Sequence, residues 1–274
     1  MRKLDSNIYN KDYFLNAVEG FNEYNNNKQK LNPKYNFAIK LAELSGGEKI
    51  LDYGCGRGEV VIYTAKYFNC TSTGIDYSKD AILLCIEKLK KFGLKKTISK
   101  RISFLNEKNL NKLPFKDASI DRIFYLDVME HMYPEEIELL FLEFKRVLKS
   151  KGRIIIHTAP NKDFYDIGYP RYTYYINRLI NFFFKLAKGR SMNRSQKNPR
   201  SKFEQAMHIN EQTVESVSKT AHLLDFKYKV FLNDSFIMNS SIIYFIYYLI
   251  AQPFYIPFLK KIFCEHLWCI LTKE

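Results

Sequence analysis

Three glycines and two carboxylates in the first third of the chain have the spacing of a small-molecule binding turn. The run Ile50-Leu51-Asp52-Tyr53-Gly54-Cys55-Gly56-Arg57-Gly58-Glu59 starts as an apolar strand and ends in glycines. Backbone without a Cβ can lie directly against a ligand there. Asp76 follows Gly56 by twenty residues, where doubly wound folds offer a carboxylate to the two hydroxyls of a ribose. A dinucleotide site would have a third glycine where Glu59 stands, so that a pyrophosphate could rest on the next helix. A carboxylate at that point repels phosphate and favours a cationic ligand. Further on, Asp127-Val128-Met129-Glu130-His131 ends another apolar run. An imidazole at that place can take a proton from a hydroxyl nucleophile near neutral pH. His157 ends the next apolar run and is the weaker candidate.

These groups need a scaffold, and the pattern around them predicts one. Short β-rich runs fall at Lys49–Tyr53, Thr71–Asp76, Ile102–Asn106, Arg122–Asp127 and Arg153–Thr158, with helical spacing clearest over Ala81–Phe92 and Pro134–Leu148. Strand–helix alternation of this kind predicts an α/β fold with a parallel sheet covered by helices on both faces. Helices with a break at Asn25-Asn26-Asn27 are expected over Tyr9–Leu44. A helix at Glu211–Leu224 and strands at Phe226–Leu232 and Leu267–Lys273 complete the pattern. The expected division is an N-terminal helical segment (1–44), a ligand-binding core (45–160), an aromatic, basic insertion (161–207) and the rest of the sheet (208–274).

Read together, the motifs resemble the class I S-adenosylmethionine (SAM)-dependent methyltransferases. Leu51–Glu59 looks like their motif I, and Gly74-Ile75-Asp76-Tyr77-Ser78 like their ribose-binding motif. Leu113–Asp121 resembles their "LPF-x-D-x-SFD" segment, Val128–Met132 their "VLEHL" turn, and Arg146–Gly152 their "RVLKPGG" turn. The likeness runs in order over about residues 38–160. It implies a doubly wound, seven-stranded, mostly parallel sheet with the last strand antiparallel, and SAM as cofactor. Position by position, it puts Asp52, Gly54 and Gly56 at the methionine end of SAM. Asp76 falls at the ribose with Tyr77 beside it, Asn109 and Leu110 at the adenine, and Asp127 near the methyl group, with His131 and Asp127 as catalytic candidates. Asp127-x-x-Glu130-His131 with the later His208 also resembles the ExxEH…H metal site of small-RNA 2′-O-methyltransferases and some quinone-pathway O-methyltransferases. Those four residues could hold a divalent ion that acidifies an acceptor hydroxyl.

The remaining features bear on partners and place. Arg171–Lys202 carries nine basic residues and no acid. Arg171, Arg178 and Lys185 recur every seven residues among Ile176, Leu179, Ile180, Phe183 and Leu186. Such a basic amphipathic helix suits either an anionic membrane surface or a lid over the site. Ser235–Leu259 has no charged residue, and its position between two strands of one sheet favours an apolar hairpin over a membrane crossing. The formal charge of +14 is spread through a Lys-rich composition, so its clustering says more than its total. Five scattered cysteines without a CxxC pair and a polar N-terminus predict a cytoplasmic protein, peripheral at the inner face of the membrane. The expected activity is O-methylation of an amphiphilic or lipid-linked small molecule, such as a quinone-like ring or a lipid-carried glycan. RNA 2′-O-methylation is the weaker alternative: the sequence lacks the Asn/Asp-Pro-Pro-aromatic motif and a Pro-Cys nucleophile, and its basic residues sit in no recognised RNA module. A non-catalytic, membrane-associated SAM-binding protein is the third reading, and the intact Asp52 and Asp76 motifs oppose it.

Overall fold

The three isoleucines Ile154, Ile155 and Ile156 show how the sheet is built. All are buried, yet Ile154 and Ile156 join one hydrophobic cluster and Ile155 another. Alternate residues of a strand point to opposite faces, so an unbroken apolar run is the mark of a strand covered on both sides. The computed structural model describes residues 4–18, 20, 31–107, 112–189, 196–235 and 257–274. Its strands are β1 (Lys49–Tyr53), β2 (Thr71–Asp76), β3 (Ile102–Asn106), β4 (Ile120–Leu126), β5 (Leu148–Thr158), β6 (Lys227–Leu232) and β7 (Leu267–Thr272). They form one sheet in the order β3-β2-β1-β4-β5-β7-β6. β1 to β5 are mutually parallel, and β7 runs antiparallel to both β5 and β6. This is the fold that the sequence predicts.

The helices are α1 (Pro33–Ala42), α2 (Glu59–Tyr67), α3 (Lys79–Phe92), α4 (Lys96–Ser99), α5 (Pro134–Val147), α6 (Tyr174–Lys188), α7 (Lys202–Met207), α8 (Val214–Leu223) and α9 (Pro257–Phe263). Local chemistry sets their ends. Asn32 accepts from Lys34 N ahead of α1, and Ser78 Oγ accepts from Ala81 N ahead of α3. Gly93 closes α3 in the left-handed conformation. One face of the sheet buries Tyr53, Tyr125, Phe141 and Phe144 with Ala221 of α8, and the other buries Ile39, Val60, Phe124 and Trp268.

Several elements differ from the sequence reading. β4 and β5 begin earlier than expected because Ile120 pairs with Leu148 across a register shift before the regular ladder resumes at Arg122. In the N-terminal stretch expected to be helical from Tyr9, a π turn (Tyr13–Ala17) stands instead, preceded by a 3-10 turn (Ser6–Ile8). Asn10 accepts from Tyr13 N there, a local bond that competes with a regular helix. In the insertion, a π-helical stretch (Phe164–Thr173) containing Pro170 leads into α6. The break at Asn25-Asn26-Asn27 and most of the apolar segment 235–259 lie outside the described residues. Among the described residues, no helix is long and apolar enough to cross a membrane.

Candidate active site

β1 and β4 are neighbours although two strands separate them in sequence. The crevice beyond their C-terminal ends lies at a topological switch point, where open α/β sheets bind ligands. A cavity of about 350 Å³ opens there, lined by Tyr53–Arg57, Glu59, Asp76, Tyr77, Glu107, Leu126–Val128, His131, Met132 and Glu136, with Leu4, Tyr9, Tyr13, Phe14, Val18 and Tyr35 from the N-terminal part of the chain.

The glycine turn is held in shape by Asp76. Its Oδ2 accepts from Gly56 N at 3.0 Å and its Oδ1 from Ser78 N at 2.9 Å. Burial pushes this carboxyl up to about 6 in spite of both donors, and each oxygen keeps a lone pair for a ligand hydroxyl. Gly54 has φ +76°, and a Cβ on it would run into Val128, so this closest approach of β1 to the loop after β4 demands glycine. Asp52 is buried at 4% exposure behind the turn. Burial, then Glu59 and Asp76, raise its carboxyl well above the usual range. Asp52 does not line the cavity, whereas Glu59 does.

The N-terminal segment roofs the cavity, a role that sequence reasoning missed. Arg57, 1% exposed, donates from Nη1 to Phe14 O at 2.7 Å and Val18 O at 3.1 Å, and from Nε to Glu59 at 2.9 Å. Ser78 Oγ donates to Tyr9 O at 2.6 Å. The same residues that shape the ligand turn therefore fasten the roof. The aromatic run Tyr9, Tyr13, Phe14 was the available signal, but apolar spacing alone does not distinguish a roof from a core helix.

Asp127 follows β4 with φ +56°. Lys34 Nζ lies 2.5 Å from its Oδ2, and His157 Nδ1 lies 2.5 Å from its Oδ1. Burial pushes this carboxyl up, but Lys34 and His157 outweigh it and hold the group well below the usual carboxylate range. His157 Nε2 continues the chain to His266 Nδ1 at 3.0 Å. Neither Lys34 nor His266 was a sequence candidate, since 93 residues separate Lys34 from Asp127 and His266 lies in the C-terminal part of the chain.

His131 lines the cavity and its Nδ1 meets Met207 O at 3.2 Å. Burial, then the neighbouring His208, lower its pKa to about 4, so the imidazole is neutral at pH 7. Glu130 is buried and pushed up to about 7, by burial first and Asp127 second, while Thr158 donates to it at 2.8 Å. The four metal candidates separate. Donor atoms of Glu130, His131 and His208 lie within 4.8 Å of one another, while both oxygens of Asp127 face Lys34 and His157. Asn109 and Leu110 lie outside the described residues.

Comparison with known proteins agrees with this geometry. Residues 51–156 match the family described as "Methyltransferase domain". The chain is 30% identical over 114 residues to methyltransferase GfsG of Streptomyces halstedii, covering 42% of this chain and 38% of that protein. It is 30% identical over 116 residues to 27-O-demethylrifamycin SV methyltransferase of Amycolatopsis mediterranei, covering 42% and 40%. The matches thus span about two fifths of these relatives' length. Among solved structures, phosphoethanolamine N-methyltransferase 2 of Haemonchus contortus with SAM bound superposes with a TM-score of 0.57 at 15% identity, covering 98% of this chain and 57% of that one. Sequence match and sheet order point the same way: residues 51–156 match a methyltransferase domain, and the sheet around them has the strand order expected of a class I SAM-dependent methyltransferase.

Proposed function

We propose that this chain transfers the methyl group of SAM to a hydroxyl of an amphiphilic small molecule, with His131 receiving the hydroxyl proton. The observation that carries the reading is a buried, neutral imidazole on the wall of the cavity that also holds the glycine turn and Asp76. SAM supplies an electrophilic methyl on sulfur, so orientation and in-line approach account for much of the acceleration. The proton released by the acceptor passes to His131, while Met207 O, accepting from Nδ1, leaves Nε2 as the basic atom. Asp127, with both oxygens occupied, acts as a fixed anion near the sulfonium. The relatives' names support methyl transfer to small-molecule acceptors and do not select the acceptor atom.

Two finer parts belong to the same proposal. The first is placement at an anionic membrane surface through α6. Leu179, Phe182, Phe183 and Leu186 of this helix are 57–69% exposed, and Arg178, Lys185 and Lys188 lie along it. The second, an alternative to His131 as the base because its Nε2 would then be a ligand, is a divalent ion on Glu130, His131 and His208. Its support is the closeness of the three donor groups, within 4.8 Å of one another, with His208 Nδ1 3.6 Å from Glu211 Oε1; activity unchanged by EDTA and by His208→Ala would remove it.

The test of the main reading is transfer from radiolabelled SAM into cell extract, separated into lipid, RNA, protein and soluble fractions, with Asp76→Ala as control. Asp76-dependent label in lipid or small molecules is expected. Label confined to RNA or protein, or none although SAM binds, overturns the reading.

A further inference from the structure

Residues 207–212 close over the loop that carries His131. Met207 O accepts from His131 Nδ1 at 3.2 Å. Asn210 N donates to Glu130 O at 3.0 Å, and Asn210 Nδ2 donates to Met132 O at 3.0 Å. His208 packs edge-on to the His131 ring, with centroids 4.8 Å apart. The contact with Met207 decides the chemistry. A carbonyl oxygen only accepts, so it keeps the proton of the neutral imidazole on Nδ1 and leaves the lone pair on Nε2.

What holds this stretch in place lies outside the cavity. Residues 208–213 are neither helix nor strand, so no ladder of backbone bonds fixes them. Arg200, ahead of α7, reaches them instead. Its Nε donates to Glu211 Oε1 at 2.7 Å, and its Nη2 donates both to Glu211 Oε2 and to Asp166 Oδ1, the latter at 2.7 Å. Asp166 belongs to the π-helical stretch, and the guanidinium lies over the Tyr165 ring of that stretch, 5.2 Å from its centroid. Glu211 Oε1 in turn stands 3.6 Å from His208 Nδ1. The Arg200 side chain is 18% exposed and that of Glu211 7%. A forked guanidinium–carboxylate pair shielded to this extent fixes direction as well as distance, which a lysine ammonium does not.

We propose that Arg200 is a positioning residue for His131: by gripping Glu211 and Asp166 it sets the place of Met207 O, and so decides which nitrogen of the imidazole keeps its lone pair. This deepens the role given to His131 above and rests on it. It also gives the insertion a part in the reaction, since Asp166, Arg200 and Met207 all come from it.

Nuclear magnetic resonance reads the proton directly. The chain has five histidines, and long-range proton–nitrogen correlation spectra show which ring nitrogen of each is protonated, with His131→Asn assigning the His131 signals. The full chain is saturated with S-adenosylhomocysteine (SAH), after SAH binding itself has been measured by calorimetry, and held at pH 7, where His131 is neutral. The wild type should show a protonated Nδ1. In Arg200→Gln the proton should shift toward Nε2, and Asp76-dependent methyl transfer into cell extract should fall about tenfold to a hundredfold. The Kd for SAH should change by less than about twofold. Glu211→Gln, which keeps the shape of the side chain and removes the paired charge, should give the same result and serves as a second variant if Arg200→Gln loses thermal stability. A wild type protonated on Nε2, a His131 tautomer unchanged by both substitutions, or a shifted tautomer with full methyl transfer overturns the proposal. Undiminished transfer by His131→Asn overturns instead the reading of His131 as the base, and absence of SAH binding overturns the methyltransferase reading beneath both.

Discussion

A histidine kept neutral by burial can act as a base only if something fixes which nitrogen faces the reaction. Met207 O does this for His131. His131→Asn keeps a polar side chain of similar size and removes the base. It should lower kcat by about 10²-fold or more while the Kd for SAM stays near its original value; a matched loss of SAM affinity in calorimetry would instead make His131 a cofactor contact. Asp76 stands on the other side of that distinction. Asp76→Ala removes the acceptor of two backbone donors and, in the proposed role, of the ribose hydroxyls, and should weaken SAM binding by roughly 10- to 100-fold. Asp76 was readable in the sequence because the strand, the glycine turn and the second acid lie within 27 residues, from Ile50 to Asp76. The chain from Lys34 through Asp127 and His157 to His266 was not readable, because only the closed sheet brings those four side chains together.

At the scale of elements, strands and roof differ in the same way. β1, β2 and β3 match the sequence-derived boundaries, because short β-rich runs bounded by turn residues mark strands both in the buried centre, like β1, and at the partly exposed edge, like β3. The roof has no such period: its position depends on Arg57 donating to the carbonyls of Phe14 and Val18. Arg57→Met should leave those buried carbonyls without their donor and cost about 1–3 kcal/mol. Its expected signs are a lower Tm, faster proteolysis within residues 4–18 and faster release of SAH in stopped flow. Equal SAH release rates would detach the roof from cofactor exchange. The turn before β1 gives a pH prediction. Burial pushes the Glu48 carboxyl up, but Ser45 N and Oγ outweigh it and bring it down from 4.5 to about 2. A carboxyl with its folded pKa depressed stabilises the fold above its unfolded pKa and loses that contribution as pH falls through the folded value. The Tm advantage of the wild type over Glu48→Gln should therefore be full above about pH 5 and vanish toward about pH 2. A constant difference across that window would show that the charge is not what Glu48 contributes.

At the scale of the molecule, α6 projects an apolar face flanked by cations, while the candidate cavity opens at the strand ends. If α6 rests on lipid, each of Arg178, Lys185 and Lys188 near an anionic surface should contribute about 1 kcal/mol. Sedimentation with phosphatidylserine vesicles should then fall as salt rises, and Leu179→Glu with Phe183→Glu should abolish it without changing SAM affinity. Binding that ignores both salt and these substitutions would remove the membrane from the proposal. The sheet order has a consequence for how this protein is made. β7 lies between β5 and β6, so β6 has no partner until a strand 35 residues further on has been synthesised. At ordinary elongation rates the ribosome needs about 2–8 s to get from the end of β6 to the end of β7. For that time β5, with Ile154, Ile155 and Ile156 at its centre, is an unpaired apolar edge. The nascent chain therefore passes through a period in which a chaperone, or another copy of itself, can occupy the place reserved for its own final strand.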